Sequence, residues 1–519
     1  MKRNIVFCAS LAALAMFRAG PLAAQDGKAL YGEHCASCHG ADRLGGQGPA
    51  LVPESLERLR KDKASETIAK GREGTQMPAF GDVIGTAGID AVTSFIYAPL
   101  PEVPSWGKEE IAKSLVLTPA AGPSQPVYPG DPLNLFVVVE AGDHHVTILD
   151  GDKFESLIRV KTRYALHGGP KFTPDGRYVF FSSRDGWITK FDLWRLTTVA
   201  EVRAGLNTRN IAMSSDGKFL AAANYLPNTI VILNSADLSV AKVIEVRDIK
   251  GHASRVSAIY QAPGRFSFIA ALKDAPEIWE ISTDPNAKPV AQGFVHSHEQ
   301  GMVEALPMQE GLFPVRRMEI GEPLDDFFFD PAYRSLLGSS RSGDRILVVN
   351  LTTGQKVAQI PVGGMPHLGA GISWMYQGRR VLAVPHLKES FVTIIDMSDW
   401  SVVKRIPTEG PGFFLRSHEN SPYAWVDTFL GQKKDLMHII DKDKLEIVRT
   451  LQPEPGKTAA HVEFDKSGAH AAISIWDMKG ALVIYDAKTF EEVKRIPMVK
   501  PAGKYNVANK IGFSEGTSH

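Results

Sequence analysis

From about residue 134 onward the chain alternates apolar and polar positions in short runs, and eight of these runs close in the same way. His144–Asp150, Trp187–Asp192, Thr229–Asn234, Glu277–Ser282, Arg345–Asn350, Val392–Asp396, Leu436–Asp441 and Ala481–Asp486 each lead a strand-like stretch into a final Asp, Asn or Ser. Their last positions are separated by 42, 42, 48, 68, 46, 45 and 45 residues. Repetition at this period, with one such strand per unit, predicts four-stranded blades set around an axis. Turn signals such as Pro174-Asp175-Gly176 and Ser215-Asp216-Gly217 precede short β runs at Tyr178–Ser182 and Phe219–Ala223, as blades require. Two stacked all-β domains would leave the period unexplained. The long gap between Ser282 and Arg345 predicts an inserted loop.

Ahead of the repeats the apolar spacing becomes helical, over Gly27–His34, Glu54–Lys70 and Gly85–Tyr97. Between the two regimes, prolines stand at 99, 101, 104, 119, 123, 126, 129 and 132, a composition that makes a semi-rigid spacer. The pattern therefore predicts a small all-α domain at 25–98, a Pro-rich linker at 99–133 and an all-β eight-bladed propeller at 134–519.

Residues 1–24 fall outside both patterns. Lys2 and Arg3 precede an apolar run from Ile5 to Phe17, then Arg18, Gly20, Pro21 and Leu22-Ala23-Ala24, which reads as an export signal cut near Ala24. The run is shorter than the about 20 residues a membrane helix needs, so no membrane span is expected. Lys plus Arg number 58 and Asp plus Glu 58; removing Lys2, Arg3 and Arg18 leaves the mature chain at −3. A balanced chain without a basic block lacks the footprint that holds phosphates, which sets nucleic-acid binding aside.

Cys8 leaves with the signal, so Cys35 and Cys38 are the only thiols of the mature chain. The stretch Cys35-Ala36-Ser37-Cys38-His39 is the C-x-x-C-H pattern of covalent haem c attachment, in which two thiols bond the macrocycle and the next imidazole ligates iron. A disulfide or a zinc pair is the alternative, and zinc needs further Cys or His nearby. Met77, in Gly74-Thr75-Gln76-Met77-Pro78, is the candidate second axial ligand, the alternative being that Met77 packs in the core and His34 or another His ligates instead. These features resemble a small class I cytochrome c domain.

An exported cytochrome c joined to an eight-bladed propeller resembles the cytochrome cd1 nitrite reductase family, whose propeller carries haem d1. Tyr164-Ala165-Leu166-His167 ahead of Phe172-Thr173-Pro174-Asp175-Gly176 resembles the segment supplying one axial ligand, and Gly364-Met365-Pro366-His367 resembles a segment carrying an active-site His on the other side. The family's nitrite reductases use a second such His. Here the matching region reads Glu322-Pro323-Leu324-Asp325-Asp326-Phe327. A normally ionised Asp repels nitrite and donates no proton. The stretches around His461, Trp476 and Tyr505 resemble instead the branch of dihydro-haem d1 dehydrogenases, which oxidise a propionate side chain to an acrylate in the last step of haem d1 synthesis.

That resemblance implies haem c as cofactor and dihydro-haem d1 and haem d1 as substrate and product. His461 is the candidate base, because an imidazole near pKa 6.5 suits proton abstraction at neutral pH. Tyr505 would position the substrate carboxylate or share the proton path. His167 and His367 are candidate iron ligands, and His367 also belongs to the expected reaction site. Arg163, Arg209 and Arg255 lie where buried guanidinium groups could meet the macrocycle's carboxylates, and Arg209 and Arg255 are taken as candidates. The implied setting is the periplasm, with a small electron acceptor and transient complexes with a cytochrome cd1 nitrite reductase and a haem d1 carrier. Two alternatives stand beside the dehydrogenase: a nitrite reductase with unusual distal residues, and a non-catalytic haem d1 carrier.

Overall fold

The computed structural model describes residues 26–46, 48–56, 59–71, 77–102, 104–118, 125–291, 308–513 and 515–516. The segment expected to be an export signal and residues 74–76 of the Met77 loop lie outside them.

The N-terminal region is helical. Asp26 caps Gly27–His34 by accepting from Lys28 N at 2.9 Å, and the chain turns at Cys35 into the short helix Ala36–His39. Ile89, Val92 and Ile96 recur on one face of the helix Gly81–Ile96 and pack on Tyr31, Leu56 and Ile68. The helix expected over Glu54–Lys70 is two, Pro53–Leu56 and Lys61–Lys70. The helix expected from Gly85 begins earlier, at Gly81, and kinks at Gly85, whose φ is 63°.

Eight sheets of four or five antiparallel strands make the propeller. All eight periodic segments are strands, and each is third from the inner edge of its sheet. They are legible because they are sandwiched on both faces, as in the wholly buried Ile230–Leu233. Outermost strands such as Glu155–Lys161 and Val402–Pro407 are largely exposed. The ring closes through the C-terminus: Pro501–Asn506 becomes the inner strand beside Leu135–Glu140, with Val137 opposite Tyr505 and Val138 opposite Lys504. Tyr505, which follows the last repeat in the sequence, therefore sits on a channel-lining strand. The extra residues before Arg345 start and end on a small hairpin, Val290–Ala291 paired with Met308–Gln309.

The Pro-rich stretch does more than link. Its helix Lys108–Lys113 buries Ile111 completely against Ile188 and Val202, and Val116–Leu117 adds a fifth strand to one blade. The two regions touch directly. Ala50 and Val52 pack with Leu206 and Leu226, the Arg203 guanidinium donates to Leu44 O, and it stacks 5.0 Å from the Trp106 ring. Among the described residues no helix is long and apolar enough to cross a membrane.

Candidate functional site

Two cavities collect the candidate residues other than Arg163 and Arg255. The first lies among the N-terminal helices, where Cys35, Cys38, His39 and Met77 line one space walled by Leu56, Ile68, Val92 and Ile96. Because a carbonyl only accepts, His39 Nδ1 must be the donor in its 2.8 Å bond to Pro49 O, which leaves the lone pair on Nε2. Gly48 is required beside it, since a Cβ there would stand 2.6 Å from Cε1 of the ring. Cys35 and Cys38 form no disulfide, and among the described residues no cluster of three or more His, Cys, Asp or Glu could hold zinc. Two thiols, an oriented imidazole and a thioether on an apolar wall fit haem c. Two residues of the propeller, His144 and Tyr164, complete this wall.

The second cavity lies in the propeller channel, and every blade contributes to it. Arg209, Tyr260, Asp326, Arg416, His461 and Tyr505 lie on the inner strands of six blades, and His167 and His367 lie in the segments leading into the inner strands of the other two. His167 Nδ1 donates to Arg209 O and His367 Nδ1 donates to Phe413 O, each at 2.7 Å, so both rings carry their lone pair on Nε2. Asp326 occupies the region where a second distal His was missing. Its Oδ2 lies 3.7 Å from His367 Nε2, and Tyr260 donates to its Oδ1 at 3.0 Å.

His461 sits at a bulge in Ala459–Phe464 with φ 52°, a left-handed conformation that a His adopts at a cost. Its ring lies 4.6 Å from Phe414 and 5.3 Å from Tyr505, centroid to centroid. Burial, reinforced by Lys504 and Arg416, holds its pKa well below the ordinary imidazole value. Its Nδ1 is buried without a hydrogen-bond partner among the described residues. Burial also pushes Tyr505 up to about 12, so its hydroxyl stays protonated. A Cβ on Gly503 would meet that hydroxyl at 2.4 Å, which explains the glycine.

Behind the rings, the Asp427 carboxylate organises the site through the backbone. Oδ1 accepts from Phe413 N at 2.8 Å and Phe414 N at 3.1 Å, while Oδ2 accepts from His461 N at 3.3 Å. Phe413 O in turn holds His367, so one buried carboxylate sets both histidines. Its own pKa is raised to about 6 by burial. Lys504, wholly buried, donates to Ala460 O at 3.1 Å and to Ser474 Oγ at 2.9 Å, fixing the residue before His461.

Arg209 is in this cavity, but Arg255 is not. Arg255 lies in a separate cleft with Glu54 and Trp106, with Nη2 2.6 Å from Asp274 Oδ1. Arg163 likewise pairs with Glu201, with Nη2 2.6 Å from Oε2. The guanidinium that sequence reasoning missed is Arg416, 4% exposed, whose Nη1 donates to Leu415 O and whose Nε has no partner among the described residues. Trp476 Nε1, on the same wall, also has no hydrogen-bond partner among the described residues. Two orphaned donors and one orphaned imidazole nitrogen around one cavity match a macrocycle bearing carboxylates.

Against known families, the chain matches the cytochrome D1 haem domain over residues 130–302 and 308–510. This chain belongs to the cytochrome d1 haem-domain family. Residues 22–96 match the family of cbb3-type cytochrome c oxidase subunit III, consistent with the helical region. The d1 protein is 53% identical to a dihydro-haem d1 dehydrogenase of Pseudomonas aeruginosa over 95% of this chain and 96% of that protein. It is 25% identical to a nitrite reductase of Stutzerimonas stutzeri over 93% of its length and 92% of the reductase. A solved structure of the dihydro-haem d1 dehydrogenase NirN in complex with DHE superposes with a TM-score of 0.86, at 51% identity over 94% of this chain and 100% of that one.

Proposed function

We propose that this cytochrome d1 protein oxidises the propionate side chain of dihydro-haem d1 to the acrylate of haem d1. The observation that carries the reading is His461: a buried, neutral imidazole with an uncommitted nitrogen, facing a macrocycle-sized cavity beside a protonated Tyr505. Turning CH2–CH2 into CH=CH removes two electrons and two protons. His461 accepts a proton from the carbon activated by the ring and the carboxylate, the second proton is released to solvent, and the low proton affinity of the imidazole keeps it in the accepting form at neutral pH. Tyr505 orients the side chain through its hydroxyl. Arg416 and Arg209 bind carboxylates, and His167 and His367 are the ligands offered to the macrocycle's iron. Haem c, held by Cys35, Cys38 and His39 with Met77 as its further ligand, supplies a one-electron exit. The likeness to the P. aeruginosa dehydrogenase over nearly the whole chain supports this over nitrite reduction, for which Asp326 stands where a proton-donating His is wanted. A carrier alone would leave the haem c cavity without a task. We place the protein in the periplasm, on the strength of the N-terminal signal, with a small electron acceptor there. Exchange of tetrapyrrole with a cytochrome cd1 nitrite reductase and a haem d1 carrier is part of the proposal.

The test is conversion of dihydro-haem d1 by wild type and His461→Ala, followed by absorbance. Loss of the base lowers the rate by about 10²- to 10⁴-fold with binding retained. Because the imidazole pKa is lowered, the wild-type rate stays high as pH falls to 6.5 and declines only below it. Near-normal conversion by His461→Ala removes that residue from the mechanism, and rapid nitrite reduction by wild type overturns the reading.

A further inference from the structure

The two cavities share a wall segment. Tyr164 lines the haem c cavity, and Leu166 and His167 line the channel cavity. Three peptide links join Tyr164 to His167 and span at most about 11 Å. Among the described residues, the contacts between the two regions through Arg203, Trp106, Leu206 and Leu226 involve residues that line neither cavity.

The segment is also held rigidly. Tyr164 packs on His144 with ring centroids 5.2 Å apart. Ala165 N donates to His144 Nδ1 at 3.4 Å, and Ala165 O accepts from Arg184 N at 3.1 Å. His167 N donates to Ser182 O at 2.9 Å, and Ser182 Oγ returns a bond to His167 O at 2.7 Å. His144 and Ala165 are both left-handed, with φ of 60° and 43°. Non-glycine residues persist there only where the surroundings over-determine them.

We infer that Tyr164–His167, buttressed by His144, is the electron path from the channel to haem c. Tunnelling decays exponentially with distance and is weakest across gaps, so a short covalent segment reaching both cavities dominates over routes through packed side chains. Each conversion releases two electrons. They cross this segment one at a time, each reducing ferric haem c, which an external one-electron acceptor reoxidises before the next. The inference rests on the dehydrogenase reading only in requiring that electrons leave the channel.

The test separates transfer from conversion. In protein carrying haem c and loaded with ferric haem d1, haem c is photoreduced and the appearance of reduced haem d1 is followed by absorbance. Tyr164→Leu and His144→Leu should slow transfer by an order of magnitude, while Tyr164→Phe, which keeps the ring, should restore it. The haem c spectrum and midpoint potential of the unloaded variants should match wild type. His461→Ala should transfer at the wild-type rate while failing to convert, so a fault in the proposed chemistry leaves this result standing. Unchanged transfer in Tyr164→Leu and His144→Leu overturns the path. So does slowing that is matched by a shifted haem c potential in the unloaded protein, since driving force would then account for it.

Discussion

The cavity around Cys35, Cys38 and His39 is lined by residues of the helical region between 34 and 96, with His144 and Tyr164 from the propeller, whereas the channel cavity draws on all eight blades. The first is walled by aliphatic side chains and offers two free thiols. The second is rich in charge, with Arg209, Arg416 and Asp326 beside His167, His367 and His461. This contrast fits a group that is held for good against one that passes through. Covalent bonds make affinity unnecessary in the first, so its wall can be plain. The second must bind and release, so it relies on many moderate contacts spread over independent elements, none of which is the sole anchor. Orphaned donors at Arg416 and Trp476 mark where such contacts are waiting.

The largest effect should come from breaking the first cavity alone. In Cys35→Ser/Cys38→Ser no thioether can form, so the denatured protein should show no covalently held haem. Conversion should stop, because electrons lose their exit, yet tetrapyrrole should still bind and give the wild-type visible spectrum in the channel. Normal conversion by this variant would mean that electrons leave by another route and that the two cavities work independently.

Breaking the organisation of the second cavity should cost less. Asp427→Asn keeps the shape but turns one oxygen, which accepts a backbone N–H, into an NH2 that opposes it. A buried donor left unsatisfied costs about 1–3 kcal/mol, which corresponds to roughly 5- to 150-fold in rate if it falls on the transition state. The loss should appear in kcat more than in KM, because His367 and His461 are displaced while Arg416 is not. Burial raises the Asp427 carboxyl to about 6, so it gains its proton as pH falls through that value and one acceptor is lost. Wild type should then approach the behaviour of Asp427→Asn in acid, and the variant's profile should be flatter there. Equal acid limbs in the two proteins would assign the limb to His461 alone.

How much of this was visible in the sequence follows from the same contrast. The C-x-x-C-H motif is local, so its cavity was readable from five adjacent residues. The third strands of the blades were readable because they are packed on both faces and read as apolar runs. Two of the channel-lining strands could not be read in this way, since Lys171–Phe172 and Leu415–Arg416 are two residues long, too short for any periodic signal. A signal did exist in the repeat itself. His167, Arg209, Arg416 and His461 each stand 25 residues before the repeat ends at 192, 234, 441 and 486, and Asp326 stands 24 before 350. Counting back from the periodic strands would have found Arg416 and Asp326. Tyr505 escapes the count, because the blade ending at Asp150 takes its inner strand from the C-terminus. Asp427 escapes it too, since it acts through backbone amides that no residue pattern announces.

The smallest effect is expected at Arg255, and it tests where the channel cavity ends. Arg255 and Arg209 looked equivalent in the sequence, each a basic residue ahead of an inner strand or within it. In the fold Arg209 lines the channel cavity, whereas the Arg255 guanidinium makes two contacts to Asp274, at 2.6 and 2.8 Å, in a cleft beside the cytochrome region. A partly exposed pair of this kind contributes about 0.2–1 kcal/mol to stability and is screened by salt. Arg255→Ala should therefore leave tetrapyrrole affinity within about twofold of wild type, a change of under 0.5 kcal/mol. Arg416→Ala should weaken it clearly, because that guanidinium is buried on the cavity wall with a donor uncommitted. Spectroscopic titration of both variants with haem d1 gives the comparison directly. A tenfold loss in Arg255→Ala would extend the binding surface to the cleft against the cytochrome region. Equal affinities in the two variants would show that carboxylate recognition rests on neither arginine.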